Sequence, residues 1–111
     1  MTEYAAVFIT AGSMAEAEML AHVLVEERLA ACVNLLPGCR SVFRWEHEIQ
    51  TEHEVFMIAK TTRETVEELI QRVLALHSYD EPEIIALPIE MGSSGYLRWI
   101  DAELQRHTSH S

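Results

Sequence analysis

Hydrophobic residues along the chain follow two spacings, which predict strands and helices in turn. Apolar residues at every second position, such as Val55, Met57 and Ala59, are typical of a strand, and apolar residues three and four apart are typical of a helix. Pro37-Gly38, inside one apolar run, predicts a bulge rather than a break, and Pro88 in the last strand predicts a sheet edge or a strand terminus there. The predicted strands are Tyr4–Thr10, Ala31–Trp45, Ile49–Lys60 and Ile84–Ile89, and the predicted helices are Met14–Arg28, Glu64–Leu76 and Tyr96–Gln105.

Two of the helices carry a signal for their first residue. Ser13 with Glu16, and Thr61 with Glu64, match the capping box, in which two side chains each accept a hydrogen bond from a free backbone N–H. We therefore expect reciprocal capping at both places. The face that the first helix turns inward is predicted to consist of Met14, Ala17, Ala21, Leu24 and Val25.

The order of elements is β-α-β-β-α-β followed by a helix, which is the ferredoxin-like order. It predicts an α+β fold with a four-stranded antiparallel sheet and two helices on one face. Because Phe56 and Ile58 make the long third strand apolar on its second face too, that face needs a cover, which predicts self-association. Residues 1–106 are predicted to form one domain, and residues 107–111 a disordered tail.

Charge and composition narrow the classes of function. The 111 residues include 8 basic and 18 acidic side chains, a net charge of −10. An acidic surface repels phosphate, which argues against nucleic acid and against an anionic membrane, whereas metal cations remain possible partners. Two cysteines do not make a disulfide framework, and neither a signal peptide nor a membrane span is visible. We therefore expect a cytoplasmic protein.

Two Glu-His-Glu triplets, centred on His47 and His53, flank a predicted hairpin. Imidazole and carboxylate groups suit Cu²⁺ or Zn²⁺. A turn centred on Gln50 would place the two histidines opposite each other, whereas a turn at Glu46-His47 would pair His53 near Arg40 and separate them. A solvated acidic hairpin is the favoured alternative to a metal site.

Other single residues allow both a structural and a functional interpretation. His77, near the end of the second helix, could cap carbonyl groups or act as a ligand, and Glu83 just before a strand could point into a cleft. Lys60, the only lysine, is expected to form a structural ion pair rather than to bind an anion. Cys32 within its strand is expected to be a buried, inert thiol. No nucleophile or acid–base pair is recognisable, so no catalytic residue is predicted.

Several motifs together, spaced over about Val7 to Ile100, resemble those of one family. They are LAACVN and LLPG at 29–38, Trp45, AKTT at 59–62, PEI at 82–84, LPI at 87–89 and YLRWI at 96–100. In this order they resemble the CutA family of divalent-cation tolerance proteins. The resemblance implies a ferredoxin-like fold in a tight homotrimer, a cytoplasmic location, and a role in tolerance to copper and other divalent metals.

The chain departs from that family at positions associated with metal. Some members hold copper with a cysteine at the end of the first strand and a pair of histidines before a proline. Here Ile9 takes the cysteine position, and Leu76 and Ser78 flank the one remaining histidine, His77. His47 stands where the family has a turn glycine, which implies a strain of about 1 kcal/mol if its φ is positive.

The leading hypothesis is a non-enzymatic homotrimer that acts in the response to divalent metal ions, with copper or zinc as a candidate cofactor. One alternative is a sensor similar to the PII-type trimers, with an anionic small molecule in a cleft between subunits, and another is a structural interaction module. The predicted metal ligands are His77, His47 and His53. The predicted cleft residues are Trp45, Lys60, Tyr79, Glu83, Tyr96, Arg98 and Trp99.

Overall fold

The computed structural model describes residues 3–105, which form four strands and three α-helices. The strands are β1 (Tyr4–Ala11), β2 (Cys32–Trp45), β3 (Glu48–Thr62) and β4 (Ile84–Ile89), and the helices are α1 (Met14–Glu26), α2 (Val66–Leu76) and α3 (Ser94–Leu104). This order confirms the predicted α+β, ferredoxin-like arrangement. Within residues 3–105, no helix is long and apolar enough to cross a bilayer. The predicted tail, 107–111, lies outside the described residues.

The four strands form one antiparallel sheet in the order β2-β3-β1-β4. Because β4 is an edge strand, Pro88 within it disrupts no inner ladder, as predicted. The pairing of β2 with β3 shifts between Leu36 and Cys39, where Gly38 adopts a φ of 86°. The predicted bulge at Pro37-Gly38 is therefore confirmed, and β2 continues through it.

The main core lies between α1, α2 and one face of the sheet. Every second residue of β1 and β3 faces this core, and those residues are Ala5, Val7, Ile9, Ala11, Val55, Met57 and Ala59. On α1 the inward face is displaced from the predicted one, because Leu20 is fully buried while Val25 is 44% exposed. The helix also ends earlier than predicted, since Arg28 takes a left-handed φ of 59°.

The opposite face of the sheet is only partly covered. At one end α3 packs on it through Ile100 and Leu104, and Tyr4 donates a hydrogen bond to the Asp101 carboxylate. Beyond α3 the face remains apolar, with the rings of Phe8 and Phe56 edge to face at 5.1 Å. The exposed apolar residues around those rings are Leu36, Ile85 and Leu87. The sequence-based prediction of a second apolar face is confirmed.

Of the two predicted capping boxes, only the first is partly formed, with one of its two hydrogen bonds present. The Ser13 hydroxyl accepts a hydrogen bond from the Glu16 N–H at 3.1 Å, but the Glu16 carboxylate binds Ser78 instead of closing the box. The second box is wrong, because β3 extends through Thr62 and a 3₁₀ turn separates it from α2. Thr61 is fully buried in β3 and donates its hydroxyl to the Leu29 carbonyl at 2.8 Å.

The turn between β2 and β3 consists of Glu46 and His47, because Trp45 pairs with Glu48. Both turn residues have a positive φ, 50° and 71°, which is the two-residue turn that suits the twist of a hairpin. His53 pairs with Arg40, well along the strands from His47. The alternative with the two histidines facing each other across the hairpin is therefore wrong.

We expect His47→Gly to stabilise the protein by up to about 1 kcal/mol, because glycine adopts a positive φ without steric strain. The measurement is the free energy of unfolding from urea titration. His53→Gly is the matched control, since the same change inside a strand should destabilise by about 0.5–1 kcal/mol. Equal destabilisation by both variants would contradict the account of the turn.

Candidate functional site

The imidazole of His77 is buried and both of its ring nitrogens are hydrogen-bonded within the fold. Nε2 lies 2.8 Å from the carbonyl oxygen of Thr10, and Nδ1 accepts the backbone N–H of Tyr79 at 3.0 Å. A backbone N–H can only donate, so Nδ1 is the acceptor and Nε2 carries the proton that it donates to Thr10. The ring therefore joins the end of β1 to the loop after α2, and neither nitrogen has a lone pair free for a metal.

Glu16 ties the same loop to the beginning of α1. Its carboxylate accepts the Ser78 N–H at 2.7 Å and the Ser78 hydroxyl at 2.9 Å. Burial acts to raise the pKa of Glu16, but the two Ser78 hydrogen bonds, together with smaller contributions from His77 and the Gly12 backbone, outweigh it, so the pKa lies below the usual 4.5. The carboxylate therefore stabilises the loop in its ionised form.

Tyr79 connects this loop to the β2–β3 hairpin. Its hydroxyl donates to one oxygen of Glu54 at 3.0 Å, and Ser41 donates to the other at 2.6 Å. Burial first, and then the Glu54 carboxylate, raise the pKa of Tyr79 to about 12. A side chain at Gly12 would meet the Tyr79 hydroxyl at 3.0 Å, so glycine there leaves room for the phenol. We call Glu16, Glu54, His77, Ser78 and Tyr79 the His77 network.

A resident metal does not fit these donors. Throughout residues 3–105, no group of three or more His, Cys, Asp or Glu side chains is placed to hold a metal ion. His77 uses both of its nitrogens in the fold, and His47 and His53 are exposed and separated along the hairpin. The predicted role of His77 as a metal ligand is not supported by this geometry, and the structure does not bring the three predicted metal ligands together.

A second group of polar side chains lies on the sheet face that α3 partly covers. Lys60 and Cys32 are directly opposite each other in the pairing of β3 with β2. The Lys60 ammonium donates to the side-chain oxygen of Asn34, and the Cys32 sulfur lies 3.9 Å from that same oxygen. Burial, and then the charge and hydrogen bond of Cys32, raise the pKa of Tyr96 on α3. We call Cys32, Asn34, Lys60 and Tyr96 the Lys60 cluster.

Two expectations for this cluster are wrong. In the part of the chain that the structure describes, no carboxylate lies within ion-pair distance of Lys60, so the predicted structural ion pair is not formed. The partner of the ammonium is instead the neutral amide of Asn34. Cys32 is half-buried rather than fully buried, since its side chain faces the partly covered side of the sheet.

The predicted cleft residues are divided among several places in one chain. Tyr79 belongs to the His77 network, while Lys60 and Tyr96 belong to the Lys60 cluster, with the Trp99 ring 5.4 Å from that of Tyr96. The remaining three are exposed elsewhere: Trp45 beside the hairpin turn, Glu83 just before β4, and Arg98 on α3.

Four residues make decisive contacts that sequence reasoning did not predict: Glu16, Asn34, Glu54 and Ser78. Asn34 carries a detectable signal, because a polar amide inside the apolar run LAACVNLL is unusual for a buried strand. The other three have no local signal, since their partners lie 13 to 62 residues away in the chain.

We expect Glu16→Gln to lower the free energy of unfolding by about 1 kcal/mol near pH 7. A carboxylate with a lowered folded pKa contributes stability above its unfolded value of 4.5, and that contribution is lost as the pH falls through the folded pKa. The difference between wild type and variant should therefore shrink in unfolding titrations below pH 4.5. Glu18→Gln, an exposed change on the same helix, is the control and should have little effect. A constant difference at every pH would refute the role assigned to Glu16.

Comparisons with known proteins match nearly the whole described chain. Residues 5–103 fit the family model described as CutA1 divalent ion tolerance protein. The divalent-cation tolerance protein CutA of Thermus thermophilus is 48% identical over 85% of this chain and 91% of its own. The chloroplastic CutA protein of Arabidopsis thaliana is 45% identical over 85% of this chain, which spans 52% of that relative's length.

Solved structures agree with these sequence matches. The crystal structure of CutA from Xylella fastidiosa superposes with a TM-score of 0.92 at 40% identity, covering 94% of this chain and 100% of the other. The structure of the periplasmic divalent cation tolerance protein CutA from Archaeoglobus fulgidus gives a TM-score of 0.90 at 44% identity, covering 92% of this chain and 99% of the other. With its fold, its motifs and its relatives in agreement, the chain belongs to the CutA1 divalent ion tolerance family.

Proposed function

We propose that this protein acts in tolerance to divalent cations, copper among them, as a cytoplasmic homotrimer without enzymatic activity. Its membership in the CutA1 family supports the role in tolerance. The trimer is supported by one observation above all: a long part of the β2–β3 hairpin projects from the sheet with large apolar side chains in the open. The argument therefore begins with that part of the chain.

We call residues 39–54 the hairpin arm. β1 pairs with β3 only as far as Val55, so within residues 3–105 the arm consists of two strands without a third beside them. Two-stranded hairpins are marginally stable in water on their own. Four large apolar residues of the arm are nevertheless exposed, namely Val42 at 67%, Phe43 at 39%, Trp45 at 59% and Ile49 at 62%. An arm of this kind needs a surface to pack against.

A second copy of the chain offers such a surface. The exposed apolar residues Leu36, Ile85 and Leu87 lie on the partly covered face of the sheet. Since each chain carries a charge of −10, the contact between copies has to be apolar enough to offset their repulsion. An arm that packs on the next copy, repeated head to tail around an axis, closes a ring. The family resemblance implies that this ring has three members.

Under this proposal the tolerance function does not depend on a metal held by His77. The exposed imidazoles of His47 and His53 can each contact Cu²⁺ or Zn²⁺ singly, and a single imidazole is a weak site. Metal binding by the isolated protein is therefore expected to be weak. The assembled oligomer, rather than one metal site in each chain, is the functional unit.

The wild-type protein is expected to have the mass of three chains in light scattering coupled to gel filtration. Ile49→Glu places a charge on the hairpin arm and should shift the protein to monomers or dimers, because burying a carboxylate in an apolar contact is energetically unfavourable. Met91→Glu is the matched control, an apolar-to-acidic change at a residue outside the arm that is 87% exposed, and it should leave the trimer intact. A monomeric wild type, or a trimeric Ile49→Glu variant, would argue against the proposal.

A second candidate function is supported by the Lys60 cluster. The Lys60 ammonium has no carboxylate partner among residues 3–105. This is unusual, because the chain has 18 acidic side chains that could pair with it. Such a group remains free to bind an anion. This supports the alternative of a sensor for a small anionic molecule. The bound molecule would lie beside α3.

A further inference from the structure

The two cysteines of the chain are both free and half-buried, yet their surroundings differ in charge. Cys32 lies directly opposite Lys60 in the sheet, with the oxygen of Asn34 in reach of both side chains. Cys39 pairs with Glu54, and its sulfur lies 3.8 Å from the Ser41 hydroxyl, which itself donates to the Glu54 carboxylate. One thiol therefore has a cation beside it, and the other has an anion.

The cation opposite Cys32 has a neutral partner. Lys60 donates to a neutral amide, so its charge is not cancelled by any carboxylate of the described residues. Side chains directly opposite each other in antiparallel strands lie about 5 Å apart at their Cβ atoms, which is close enough for one small molecule to touch both. The half-exposed rings of Tyr96 and Trp99 lie on the α3 side and can contact its organic part.

We propose that the Lys60 cluster is a docking and exchange site for small disulfides that carry a carboxylate. The Lys60 ammonium holds the carboxylate, and the Cys32 thiol exchanges with the disulfide bond. The inference extends the second candidate function, since both use Lys60, and it adds a covalent step at a residue that has no other role. Asn34 is a positioning residue, because its oxygen lies within reach of both functional side chains.

The exchange needs no reagent besides the disulfide itself. The Cys32 thiol releases its proton to water, and the thiolate attacks one sulfur of the bound disulfide. A new bond forms between that sulfur and Cys32, the original S–S bond breaks, and the departing thiolate takes up a proton. Cys32 is oxidised to a mixed disulfide, and half of the ligand is reduced to a thiol.

The test compares two single-thiol proteins, Cys39→Ser, which retains Cys32, and Cys32→Ser, which retains Cys39. Each reacts with the dianionic reagent dithiobis(nitrobenzoate) and with the neutral reagent dithiodipyridine, and the ratio of the two rates cancels differences in intrinsic reactivity. We expect this anionic-to-neutral ratio to be about tenfold higher for Cys32 than for Cys39. Adding Lys60→Met should reduce the Cys32 ratio to that of Cys39, whereas Lys60→Arg should preserve it.

Several results would overturn the inference: equal ratios at the two thiols, a Cys32 ratio that Lys60→Met leaves unchanged, or a Cys32 that reacts with neither reagent. Should Lys60→Met fail to fold, the salt dependence of the ratio in the Lys60-containing protein replaces it, because screening must lower the ratio at Cys32. Thermal shifts with nitrobenzoate separate the two proposals. A Lys60-dependent shift together with equal rate ratios would retain the anion sensor and exclude the exchange.

Discussion

The polar organisation of this protein depends on one buried imidazole. His77 joins the end of β1, through the Thr10 carbonyl, to the loop after α2, through the Tyr79 N–H. Once the loop is fixed there, Ser78 reaches Glu16 at the start of α1, and Tyr79 reaches Glu54 at the base of the hairpin arm. β1, α1 and the hairpin arm are thus all joined to the loop that the ring holds in place. Removing the ring would leave buried donors and acceptors without partners, at a cost of about 1–3 kcal/mol for each such group.

The neighbours of His77 in this part of the fold contribute packing rather than metal ligands. Ile9 is fully buried in the main core, and Leu76 packs against that core. The imidazole of His77 itself is used for hydrogen bonds within the fold. All three positions that the resemblance associates with metal are therefore structural in this chain.

Local sequence patterns predicted the fold well, because strand and helix spacing, the Pro37-Gly38 bulge and the edge position of Pro88 depend on residues near each other in the chain. The errors arose where a distant partner decides the outcome. Thr61 looks like a helix cap, but it bonds to the carbonyl of Leu29, 32 residues away.

The predictions for the candidate sites also depended on whether nearby or distant residues decide the outcome. The separation of His47 from His53 was among the alternatives that the sequence left open, and the register of the hairpin decided it. The ion pair expected for Lys60 and the metal role of His77 could not be judged from the sequence, because both depend on which groups the fold brings to each side chain. Spacing along the chain does not record that a backbone N–H reaches Nδ1 of His77.

The most direct test of this account is nitrogen NMR of the histidine rings in labelled protein, before and after addition of Zn²⁺, with His77→Gln used to assign the ring. The account predicts that His77 is in the Nε2–H tautomer and that its two nitrogen shifts do not change when Zn²⁺ is added in stoichiometric amounts, while the exposed rings of His47 and His53 are free to respond. A proton on Nδ1, or a change in the His77 nitrogen shifts with one equivalent of Zn²⁺, would contradict it and restore His77 as a metal ligand.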